Sequence, residues 1–152
     1  MAKAGLPRSK RERLRLLGQA AVKGWAKHKV RPKPGTYFGA GQSGLYRAWH
    51  YSGLECCCLL TAAYCKDFDR LPHQTTNPEE LHQRLSETYR LSESDLYLAI
   101  SGFDGRLVTP GMMRTAAYRL GASVRRAVFQ PGDDAWEGMV PKAFSTIGRV
   151  KM

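Results

Sequence analysis

Residues 53–65, GLECCCLLTAAYC, hold all four cysteines of this 152-residue chain, and three of the four are adjacent. Thiols at that density could bind zinc, form disulfides, run redox chemistry or simply pack. A zinc site needs four ligands converging on a tetrahedron, ordinarily from Cys-x-x-Cys turns or Cys/His pairs. Cys56, Cys57 and Cys58 are consecutive, so on a helix their side chains diverge by about 100° each. The intervals to Cys65 are nine, eight and seven, and no second cysteine-bearing segment exists to receive a disulfide. Packing fits better, because Cys is small and among the most buried residue types. Leu54, Cys58, Thr61, Ala62 and Cys65 recur at helical spacing and are expected to form a tight-packing stripe. Free thiols in this number point to a reducing compartment, the cytosol or the mitochondrial matrix.

Other residue types that could do chemistry are not assembled into sites. His28, His50, His73 and His82 are scattered, without His-Glu-x-x-His spacing. The glycine-rich run GAGQSG at residues 39–44 lacks the Lys-Ser/Thr ending of a phosphate loop and follows no strand pattern. Residues 91–121 have the rhythm of an EF-hand, a helix, a Phe-Asp-Gly turn and a second helix. A calcium loop needs carboxylates at alternate positions and a closing Glu. Here Asp104 stands alone, and Met112 or Met113 occupies the place of the Glu. The expectation is therefore a helical hairpin packed by Ile100, Phe103, Leu107 and Met113, with no catalytic residue, cofactor or metal.

The charge is unevenly placed. Residues 1–34 carry eleven Lys/Arg and one acid, a net of +10, and residues 35–152 carry thirteen and twelve, a net of +1. Such a basic segment ordinarily meets phosphate or an acidic protein face. It lacks the apolar core of a secretory signal, and its Arg/Lys-rich, acid-poor composition suits mitochondrial import; it is expected to stay uncleaved. The longest apolar stretch, residues 54–65, is twelve long, short of the roughly 20 that a spanning helix needs.

The elements follow from caps and periodicity. A basic amphipathic helix is expected from about residue 8, with Leu14, Leu17, Ala21 and Trp25 on one side. Two prolines and four glycines within residues 31–44 make an extended linker, anchored by Tyr37 and Phe38. A helix over about 44–66 should carry the cysteines. Asn77, Pro78 and Glu80 start a helix over about 78–90, with Leu81 and Leu85 inward. Ser92 and Asp95 open another that ends near Gly102. Thr109-Pro110 begins one over about 110–129, with Met113, Ala117, Leu120, Val124 and Val128 as its apolar face. The fold expected is mostly α, a small helical domain with an extended basic N-terminal arm. Its divisions are an arm at 1–34, a Gly/Pro linker at 35–43, the domain at 44–140 and a tail at 141–152.

Residues 98–136 resemble the central stretch of subunit 7 of mitochondrial ubiquinol–cytochrome c reductase, a small matrix-side helical family. Ala99-Ile100 stands where that family has an Ala-Ile or Ala-Leu pair, and Gly102-Phe103 replaces its first Leu-Pro. Arg114, Tyr118, Arg119 and Leu120 are similar to its arginine helix, and Gln130-Pro131 with Trp136 to its closing turn. The first Pro of the pattern is missing, and the closing Pro-to-Trp interval is one residue longer. The resemblance implies a helical, non-catalytic subunit of complex III without a cofactor. Such a subunit lies on the matrix side of the inner membrane, against cytochrome b and a core subunit.

The expectation drawn from these readings is a peripheral, non-catalytic subunit of a respiratory complex, possessing no spanning helix. Its arm would dock through Arg11, Arg13, Leu14, Arg15, Leu17, Trp25, Lys27, Lys29, Tyr37 and Phe38, in part on anionic lipid. The alternative is a mitochondrial ribosomal protein whose arm threads between rRNA phosphates.

Overall fold

A computed structural model describes residues 5–28, 31–32, 35, 39–40, 54–67, 78–128 and 146–149. The elements in chain order are α1 (Lys10–His28), β1 (Arg31–Pro32), β2 (Gly39–Ala40), β3 (Leu54–Cys57), α2 (Leu59–Asp67), α3 (Pro78–Tyr89), α4 (Glu93–Asp104), α5 (Pro110–Met113) and α6 (Ala116–Val128). The described chain is mostly helical, as the caps and periodicity imply. The linker 36–38, residues 44–53, Asn77 and the segment 129–145 lie outside the described residues.

Two close helix pairs build the core: α1 lies on α2, and α4 lies on α6. Each pair approaches through glycine. A Cβ at Gly24 of α1 would sit 1.8 Å from the Ala62 carbonyl oxygen of α2, and one at Gly121 of α6 would sit 1.8 Å from that of Ala99 in α4. Only a residue without a side chain permits backbones so near. The pairs then meet each other. Trp25 of α1 stacks on Phe103 of α4 with ring centroids 5.5 Å apart and planes 24° apart. Leu14, Leu17, Leu81, Leu85, Leu96, Leu120, Val124 and Ile147 belong to this one hydrophobic cluster.

The helix ends follow local chemistry. Ser92 Oγ accepts from the Asp95 N–H at 3.0 Å and Asp95 Oδ2 from the Ser92 N–H at 3.4 Å, a reciprocal capping box. α4 closes on Gly105 at φ +73°, and the Arg106 N–H reaches back to the Ser101 carbonyl at 3.0 Å. α3 ends in the same way without glycine: Arg90 takes φ +51°, and the Leu91 N–H bonds to the Ser86 carbonyl at 3.2 Å.

Three expectations are corrected. Residues 54–57 form a strand, not the middle of a cysteine helix over about 44–66. They sit at the centre of a small sheet, parallel to β1 with Arg31 opposite Cys56, and antiparallel to β2 with Gly39 opposite Cys56. Helical spacing could not reveal this, because the partner strands come from the region read as linker. The helix expected over 110–129 is broken at residues 114–115. Thr115 turns its hydroxyl to donate to the Met112 carbonyl at 2.7 Å and accept from the Tyr118 N–H at 3.3 Å, ending α5 and opening α6. The expected boundary at residue 34 is also wrong for α1, which packs inside the helical body's core.

Candidate functional site

The cysteine segment is structural where it is described. Cys57, Cys58 and Cys65 are buried thiols, in no disulfide among the described residues. Burial pushes the Cys58 thiol up to about 11 against the help of a Thr61 contact, and burial pushes the Cys65 thiol up to about 12. Both are therefore protonated at neutral pH and poor as nucleophiles or metal ligands. Cys58 Sγ lies 3.5 Å from Thr61 Oγ1, and the Trp25 indole N–H donates to the Cys57 carbonyl at 3.1 Å. No cluster of three or more potential metal ligands occurs among the described residues. Asp104, the lone carboxylate of the EF-hand-like turn, accepts from the Gly35 N–H at 2.6 Å and lies 3.8 Å from the Arg106 guanidinium.

The residues expected to dock a partner are not brought together by α1. Leu14, Leu17 and Trp25 are 0% exposed. This is a correction: their apolar face is covered by the chain's own helices. Arg13 folds back on the Pro7 carbonyl at 3.1 Å and on that of Arg8, while Arg15 pairs with Glu12 one turn away. Lys10, a neighbouring cation of the same helix, reaches Asp95 of α4 at 3.4 Å. Arg11 and Lys27 are exposed. Lys29, Tyr37 and Phe38 lie outside the described residues.

A different surface emerges on α6. Residues 105–132 contain five arginines and no acid or lysine, whereas residues 78–104 contain six acids and two arginines. The nearly neutral body is thus strongly segregated. On α6 a cleft of about 400 Å³ is lined by Met113, Tyr118, Arg119, Ala122, Ser123 and Arg126. Arg119 and Arg126 are seven residues apart, two turns along one helical face. Arg126 is steadied by the Ser123 hydroxyl at 3.1 Å. Among the described residues no carboxylate pairs with Arg114, Arg119 or Arg126. Arg125 points elsewhere: its guanidinium lies over Gly105, where a Cβ would meet Nη1 at 1.8 Å. The Tyr118 hydroxyl donates to the Arg106 carbonyl at 2.7 Å, so this ring ties the cleft to the loop after α4. Leu107 in that loop is 92% exposed, and Met113 38%.

Counting charge by halves of the chain hides this surface. The signal that finds it is the acid-free arginine run beside an acid-rich segment. Among the described residues no helix is long and apolar enough to cross a membrane. No family profile matches the chain, and no curated protein or solved structure is significantly similar to it.

Proposed function

We propose that this protein is a non-catalytic subunit of a larger assembly, held at its arginine surface by an anionic partner. The assembly is ubiquinol–cytochrome c reductase, with the subunit peripheral on the matrix side of the mitochondrial inner membrane. The observation that carries the reading is the set of outward arginines at 114, 119 and 126 without carboxylate partners among the described residues. Unpaired guanidinium groups of this kind are suited to phosphate or carboxylate. They also fall within the stretch that resembles the reductase subunit: Ala99-Ile100 are buried on α4, and Tyr118, Arg119 and Leu120 lie on α6. Buried, protonated thiols are consistent with a reducing compartment and with no catalytic use of the cysteines.

The second reading, a mitochondrial ribosomal protein, is favoured by the five arginines without an acid over residues 105–132. A tagged chain solubilised in mild detergent and run on a native gel separates the two. Co-migration with cytochrome b and the core subunits supports the reductase. Release of the chain by ribonuclease supports the ribosome. Migration as a lone chain, unaffected by either treatment, overturns both.

A further inference from the structure

We propose that the arginine cleft of α6, with Leu107 and Met113 beside it, is a docking surface for an anionic lipid bilayer. The proposal deepens the membrane-side reading above by naming the partner of this face.

Three observations favour lipid over the other phosphates. The first is the company the arginines keep. Leu107 is the most exposed large apolar side chain among the described residues, at 92%, and Met113 lines the cleft itself. Cations flanking projecting apolar side chains suit an interface where headgroup phosphate lies above hydrocarbon. Free phosphate would leave Leu107 without a role. The second is Tyr118. Single-stranded nucleic acid is held by aromatic faces on which bases stack. The Tyr118 ring is buried, with its hydroxyl committed to the Arg106 carbonyl, so the cleft has no aromatic platform to offer. The third is the placement of acids. Glu93 and Asp95 open α4, and the Leu107 loop follows its other end. The twelve residues of that helix span about 18 Å. A bilayer at the loop therefore meets arginines while these carboxylates stay back, and the Asp104 side chain at the loop's start is buried against the Gly35 N–H and the Arg106 guanidinium.

The geometry divides the labour. Arg119 and Arg126 reach phosphates from positions two turns apart on one face, with Ser123 orienting the second. Arg114, at the α5–α6 bend, adds a third cation. Leu107 enters the acyl boundary from a loop anchored at Arg106 by Tyr118.

The test is flotation of the purified full-length chain with vesicles of phosphatidylcholine alone, or of phosphatidylcholine mixed with phosphatidylglycerol or cardiolipin. The chain should float with the anionic vesicles only. Arg119→Gln combined with Arg126→Gln should weaken binding about 30-fold, the effect of two cations near a charged surface. Leu107→Ser should weaken it about tenfold through lost apolar burial. The charge-matched pair Arg8→Gln and Lys23→Gln, both exposed and neither lining the cleft, should change it less than about threefold. Unaltered circular-dichroism melting of these surface variants keeps the comparison clean. Equal losses from the two double variants would overturn the proposal in favour of general charge attraction. So would displacement by inorganic phosphate at matched concentration, which marks a free-anion site, or displacement by single-stranded RNA at low occupancy. Flotation without co-migration on the native gel would remove the reductase reading alone, and co-migration without flotation would remove the lipid surface alone.

Discussion

Helices α1 and α6 look alike as sequence: each is amphipathic, basic and rich in arginine. In the fold they do opposite things. α1 turns its apolar face into the core and ties Arg13 to carbonyls of the residues just before the helix and Arg15 to a carboxylate of its own first turn. α6 also buries Leu120 and Val124, but leaves Arg119 and Arg126 facing a cleft with no acid opposite among the described residues. A net charge thus says how many cations a segment has, and nothing about how many are available. Availability depends on which acids and carbonyls the fold brings near.

The largest effect that can break this comparison is removal of α1. Deleting residues 2–30 should abolish cooperative unfolding of the remainder, because it strips Trp25 from Phe103 and uncovers α2. A truncated chain that melts with a sharp transition would mean that α1 is an appendage after all.

Next come the two glycine contacts, which should make the helices equivalent in packing despite their different surfaces. Gly24→Ala and Gly121→Ala each drive a methyl group into a carbonyl oxygen and should cost about 3 kcal/mol or more. Denaturant titration reads this directly. A cost under about 1 kcal/mol at either site would show that its helix pair can move apart freely.

The arginines should differ more finely. Arg13→Gln removes charged hydrogen bonds to two carbonyls and should destabilise by about 1–2 kcal/mol. Arg119→Gln should stay within about 0.5 kcal/mol of the parent. Equal effects would erase the distinction between a tethered and an outward arginine.

The smallest effect concerns His82 on α3, whose ring is half-buried. Burial lowers its pKa from 6.5, against a weaker opposing pull from Glu93. The unfolded chain therefore binds this proton more readily than the folded one. His82 costs no stability well above pH 6.5, and stability falls as pH drops through 6.5 toward the depressed folded value. His82→Gln should flatten the stability profile in that window, measured as the difference from the parent. An identical slope in both proteins would assign the pH dependence to other groups.

Much of the helical framework was legible because it is local. Ser92 and Asp95 satisfy each other across one turn, and Thr109 caps the Met112 N–H at 3.2 Å. Leu81 and Leu85 are buried as their spacing implies. The β3 strand was not legible, since its partners lie 14 or more positions earlier in the chain. The bend at Thr115 was not legible for a different reason. Threonine is compatible with a helix interior and with a cap, and only the packing of α6 on α4 selects the second.

The site divides along the same line. Composition supplied the arginines and the buried character of the cysteines, and the order of residues supplied the apolar stripe of α1. Sequence alone therefore determined that this chain makes capped, amphipathic helices with an excess of cations. Tertiary structure decided which apolar stripe is covered from within and which arginines find an internal partner. The physical reason is range: caps and periodicity act across three or four residues, whereas Trp25 meets Phe103 and Gly121 meets Ala99 only when distant segments close upon each other.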